Sequence, residues 1–173
     1  MNSDTLPHIL RFIGFFLIQV LVLQNIEFNI GILQYFHPMV YPLFIIMLPI
    51  KTPVSLSMLW AFLLGICIDY FSSSFGMHAG AAVFLAYCRG FILNFMEPRG
   101  GYNVAHSPNA KRYSTKWFFQ FCAVLLALHH LFFFILQYFA PIYALEIILN
   151  TVGSVLVSFI LVVFFQFIFD PQE

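Results

Sequence analysis

A chain of 173 residues that is 62% hydrophobic and only 8% charged has too few ionic side chains to cover a water-facing surface. Seven basic and seven acidic residues leave a formal net charge of +0, so no global field attracts nucleic acid or acidic substrates. With a mean hydropathy of +0.93, this composition excludes a soluble globular domain, a disordered chain and a nucleic-acid binder, and makes lipid the main solvent.

A helix needs about 20 apolar residues to cross a hydrocarbon core, and six segments are expected to do so. The first runs from Ile9 to Ile26; Gln24-Asn25-Ile26-Glu27 follows it in place of a small-residue cleavage site, so it reads as a helix rather than a signal peptide. The second, Tyr35 to Ile50, is short and holds Pro38, Pro42 and Pro49. The others are Val54–Phe71, Gly76–Met96, Trp117–Phe139 and Ala144–Phe169. Between the fourth and fifth, residues 97–116 carry Pro98, Gly100, Gly101, Pro108 and most of the basic residues, which predicts a polar loop with turns in an otherwise single polytopic domain, 1–173. Cys67, Cys88 and Cys122 lie in apolar runs and form no C-x-x-C pair, which suits small buried residues.

Six crossings place Arg11, Lys51, Arg99, Lys111, Arg112 and Lys116 on one side, while the loops around 27–36, 72–75 and 140–143 carry no Lys or Arg. The positive-inside rule makes the basic side cytoplasmic and puts both termini there. A re-entrant second segment would break this alternation. The basic cluster of the 97–116 loop is either a topology signal or a contact for anionic headgroups.

Ionisable groups in hydrocarbon need a partner, a cavity or the interface. Asp69 ends the third segment, and Ser72-Ser73-Ser74-Phe75 links it to Gly76-Met77-His78-Ala79-Gly80, which predicts a tight hairpin with Asp69 near His78. Gly76 and Gly80 make a G-x-x-x-G pattern for close helix approach, extended by Ala79, Ala82 and Ala86. Ser57, Ala61, Gly65 and Asp69 form a small and polar stripe, and His78, Ala82, Leu85 and Arg89 share a face. Arg89 either snorkels to the headgroups or points inward and pairs. Of His129 and His130, the stripe Gln120, Ala123, Ala127, His130, Phe134, Gln137 makes His130 the inward candidate. Glu146, Asn150, Ser154 and Ser158 recur every four residues in the sixth segment. These stripes read first as bundle packing, with interhelical hydrogen bonds of about 0.6 kcal/mol each. No motif for a metalloprotease, serine hydrolase, P-loop or dinucleotide fold is present, so no enzyme, cofactor or metal is expected. Glu27, Asp69 and Glu146 all lie towards the outer side, and a proton relay through Asp69, His78 and His130 would need a continuous polar path.

The stretch Gly65-Ile66-Cys67-Ile68-Asp69-Tyr70-Phe71-Ser72 with Gly76-Met77-His78-Ala79 resembles the signature hairpin of the rod-shape-determining membrane protein family MreD. Arg99–Tyr102 and the His129-His130 pair are similar to forms of that family from the Bacteroidota. The resemblance implies a six-helix bundle similar to the substrate-binding subunits of energy-coupling-factor transporters. It implies a non-enzymatic scaffold of the cell-elongation, peptidoglycan-synthesis complex in the bacterial inner membrane, with an MreC-like partner, RodA, a transpeptidase penicillin-binding protein and MreB nearby. The fold likeness also raises the alternative of a small-molecule or lipid-binding subunit of a membrane transporter. Asp69, His78, Gly76, Gly80, Arg89 and His130 are the candidate interaction residues. Asp69 is expected either to pair with His78 or only to cap the hairpin, in which case Asp69→Asn would be nearly silent.

Overall fold

A computed structural model describes residues 5–26, 31–103 and 106–169, all helical or irregular, with no strand among them. Glu27 lies outside the described residues. The elements are α1 (Thr5–Leu17), α2 (Pro42–Ile46), α3 (Val54–Ser72), α4 (Met77–Phe95), α5 (Ala110–Tyr113), α6 (Thr115–Tyr138) and α7 (Ala144–Phe169). Alpha-1 continues through a π turn at Ile18–Val22 and a 3-10 turn at Leu23–Asn25.

Four of these helical stretches are long and apolar enough to cross a membrane: His8–Asn25, Val54–Ser72, Thr115–Tyr138 and Pro141–Gln166. They match the first, third, fifth and sixth predicted segments. Alpha-4, with 19 residues, has the length of α3 but not the same apolarity, because it carries His78, Arg89 and Asn94. The second predicted segment departs most from expectation. In place of a membrane-length helix it holds only the five-residue α2, flanked by irregular chain. Its prolines explain this: Pro42 fits the first turn of a helix, whereas Pro38 and Pro49 supply no N–H and restrict the residues before them.

Residues 38–48 are nonetheless buried throughout, and Tyr41, Ile45 and Ile46 are fully enclosed. The segment belongs to one buried core together with the inward faces of α3, α4 and α6. Along its length it bonds α7 at Tyr35–Met39, α6 at Tyr41, α4 at Ile46 and Leu48, and His106 of the long loop at Ile50. It thus runs from the half of the bundle holding the α3–α4 turn to the end holding the basic loop.

Outward faces are apolar. In α7, Leu145, Ile148, Val152, Leu156, Ile160 and Phe164 are exposed, while Asn150, Ser154, Ser158 and Gln166 are buried. In α3, Leu59, Phe62, Leu63 and Ile66 are exposed, while Ser57, Ala61, Gly65 and Asp69 are buried. Water would penalise such a surface and lipid accepts it. The stripes expected to face inward on α3, α4 and α7 do so, but that of α6 does not hold along its length: His130 and Phe134 are buried, whereas Gln120 and Gln137 at its ends are exposed.

Candidate functional site

The α3–α4 turn is compact: Ser73, Phe75 and Gly76 all have positive φ, at 53°, 47° and 88°. One residue ties it together. The backbone carbonyl of Asp69 accepts the N–H groups of Ser73 and Ser74, closing the C-terminus of α3. Its carboxylate reaches across to α4. Oδ1 accepts the Ser74 hydroxyl at 2.5 Å, the His78 N–H at 3.0 Å and His78 Nδ1 at 3.0 Å, and Oδ2 accepts the Ala79 N–H at 2.9 Å. Because Ser74 gives its proton to Asp69, its oxygen accepts from His78 Nδ1 at 2.9 Å, and the network assigns the ring proton to Nδ1. The negative charge sits against free N–H groups at the N-terminus of α4, the favourable end of the helix dipole.

Pairing and capping are therefore one arrangement here. This corrects the expectation that Asp69→Asn would be silent if Asp69 caps. Both carboxylate oxygens accept N–H groups, so the amide nitrogen of Asn would face a donor whichever way it turned.

The expected G-x-x-x-G face is also corrected. A Cβ at Gly76 would meet nothing within 4 Å; this glycine serves the turn, outside α4, through its φ of 88°. Gly80 faces the side chain of Leu136 on α6, 3.0 Å from where its Cβ would lie. The close helix contact is made instead by Gly65 of α3, whose Cβ would stand 2.4 Å from Ala79 Cα and 2.8 Å from the His78 carbonyl oxygen.

Arg89 points inward. Only 3% exposed, it donates from Nε to the Ile46 carbonyl at 3.3 Å and from Nη2 to the Leu48 carbonyl. Those carbonyls belong to the last turn of α2 and the residues just after it, where helix carbonyls lack partners. The guanidinium closes the end of α2.

Both His129 and His130 are fully buried, against the expectation of one inward residue. Alpha-6 is packed on two sides, so two faces about 100° apart both find partners. His129 Nε2 lies 2.7 Å from the Tyr41 hydroxyl. His130 Nδ1 donates to the Leu126 carbonyl at 2.8 Å, which leaves Nε2 to accept the Ser158 hydroxyl at 3.1 Å. His130 thus belongs to the α7 network and is not brought to Asp69 and His78; Tyr41, in ring contact with both His78 and His129, lies between.

The α7 stripe has a partner that spacing alone did not reveal. Ser154 accepts the His37 N–H at 3.0 Å and donates to the Tyr35 carbonyl at 3.3 Å. Ser158 accepts the Met39 N–H at 3.0 Å, and Asn150 Oδ1 meets His37 Nε2 at 3.0 Å. Gly153 lets this strand-like stretch approach, since a Cβ there would stand 2.5 Å from the Tyr35 oxygen. From the other side Gln19 accepts the Val40 N–H at 2.9 Å and donates to the Pro38 carbonyl at 3.3 Å, as a neighbouring strand would. Spacing gives Gln19 no stripe of its own. An amide in the middle of the apolar run Ile9–Ile26, well ahead of Gln24 and Asn25 at its end, was the available signal, and it sits in the π turn Ile18–Val22.

Non-helical backbone is tolerated at membrane depth only where protein satisfies it. Gln19, Arg89, Ser154 and Ser158 do that for residues 35–48. Among the described residues no three His, Cys, Asp or Glu side chains are placed to hold a metal ion, and the three cysteines are free. No known family model, curated protein or solved structure matches this chain.

Proposed function

We propose that this chain is a six-pass inner-membrane scaffold of the bacterial cell-elongation complex, of the MreD type, with both termini and the 97–116 loop in the cytoplasm. The observation that carries the reading is the Asp69–Ser74–His78 turn. The residues that resemble the MreD hairpin form one hydrogen-bonded unit joining α3 to α4. Two further passes are supported by the course of residues 35–50 along the bundle and by the length of α4. The distribution of basic residues supports a cytoplasmic position for the basic loop. A role in holding partners rather than in chemistry is supported by the use made of the interior polar groups, most of which bond this chain's own backbone. The partner is the membrane helix of an MreC-like protein, docking within the bilayer, with RodA, a transpeptidase penicillin-binding protein and MreB assembled around the pair.

Depletion of the protein from a rod-shaped host tests this. Rounding of the cells, rescue by the wild-type chain and co-purification of the MreC-like protein are expected. Normal shape with no such capture would remove the proposal. Reporter fusions after Phe36, Ser73 and Pro141 are expected to read periplasmic, and a cytoplasmic reading at Ser73 would overturn the six-pass topology.

A further inference from the structure

At the end of the bundle away from the basic loop lies a cavity of about 590 Å³, within the range of about 300–1,000 Å³ usual for small-molecule sites. It is walled by the end of the α1 extension, residues 36–39, the α3–α4 turn and the end of α6. Its lining is rich in hydrogen-bonding groups, yet no Lys, Arg, Asp or Glu occurs among the described lining residues.

Two of these groups are acceptors that the fold leaves unused. The Gln24 amide donates to the Phe71 carbonyl at 3.2 Å, while its Oε1 is buried with no partner among the described residues. His78 spends its Nδ1 proton on Asp69 and Ser74, which leaves the lone pair of Nε2 as the ring's remaining polar site. Gln34 and Gln137 add exposed amides that bond no other described residue, and Phe36 and Phe133 offer apolar ring surface. Acceptors call for hydroxyl or N–H donors. An anion would bring only more acceptors, no cationic side chain to meet them, and the Asp69 carboxylate 3.0 Å behind His78. A cation would meet no carboxylate among the described lining residues. Hydroxyl groups donate and accept, and the C–H face of a sugar ring packs on aromatic rings.

We propose that this cavity binds a neutral, hydroxyl-rich group, the chemistry shared by a glycosyl diacylglycerol headgroup and a free sugar. The site stands independently of the scaffold reading, which cell shape tests separately. The experiment uses the full chain in phosphatidylcholine nanodiscs, with galactosyl diacylglycerol added to the lipid, methyl galactoside added to the solution, or phosphatidylglycerol added as an anionic control. Galactolipid is expected to raise the unfolding midpoint by about 3–5 °C at saturation. A matching rise with methyl galactoside would support a soluble sugar, and a rise with galactolipid alone a membrane source. Gln34→Leu/Gln137→Leu, which breaks none of the bonds holding the described fold, is expected to weaken binding about tenfold. No shift with either sugar, an equal shift with phosphatidylglycerol, or unchanged affinity in the double variant would overturn the proposal.

Discussion

Gly65→Ala is the sharpest test of how α3 and α4 are joined. The new methyl would stand 2.4 Å from Ala79 Cα and 2.6 Å from Ala79 N, where carbon atoms normally keep about 3.5–4.0 Å. The obstacle is backbone, so no rotamer change relieves it and the helices must part by roughly 1 Å. One turn further along α3, the Asp69 carboxylate bonds the Ala79 and His78 N–H groups at 2.9 and 3.0 Å. Parting by that distance takes both bonds past the usual limit. Overpacking costs about 1–3 kcal/mol, and weakening the charged cap adds about 1–2 kcal/mol, so a loss of about 3 kcal/mol is expected. The clash is steric and does not depend on whether lipid or water surrounds the helices. Gly14→Ala is the control: it makes the same chemical change in α1 with nothing within 4 Å of the new atom, and helix propensity makes it neutral or stabilising by up to about 1 kcal/mol. Reversible unfolding in mixed micelles, followed by tryptophan fluorescence, measures both. Ala79→Gly should fail to rescue Gly65→Ala, because the blocking atoms are Cα and N. A Gly65→Ala change within about 0.5 kcal/mol of wild type, or rescue by Ala79→Gly, would refute the close contact.

Asp69→Asn is expected to lower stability by about 1–3 kcal/mol in the same assay, since one N–H donor is left facing an NH₂ group; a silent variant would contradict the network. Ser158→Ala strands the buried Met39 N–H and should cost about 1–2 kcal/mol, with the effects of Ser158→Ala and His130→Phe less than additive because the two side chains share a bond. Arg89→Lys keeps the charge but cannot fork between the Ile46 and Leu48 carbonyls, so a loss of about 1–2 kcal/mol is expected on unfolding. Ser73→Gly, at an exposed turn position with φ of 53°, is expected to stabilise the chain by up to about 1 kcal/mol, read as a higher unfolding midpoint.

The sequence by itself determined the solvent of this protein, because an apolar run of membrane length with almost no charge can be stable only in lipid. It also marked the inward faces of α3, α4 and α7, since small and polar residues at every fourth position share one side of any helix. The Asp69–His78 contact followed from a linker too short to separate them. Only the tertiary structure decided what those faces touch. Spacing cannot tell a helix–helix interface from a cradle for irregular chain, and Ser154 and Ser158 prove to be the cradle for residues 35–39. Nor could spacing distinguish a glycine that serves a turn, Gly76, from one pressed against a neighbouring backbone, Gly65. The physical reason is the same in each case. Local pattern fixes which side of an element is polar or small. The backbone groups that need satisfying, and the distance at which two elements meet, are set by chain segments far away in sequence, here by a central segment that Pro38 and Pro49 keep from forming one continuous helix.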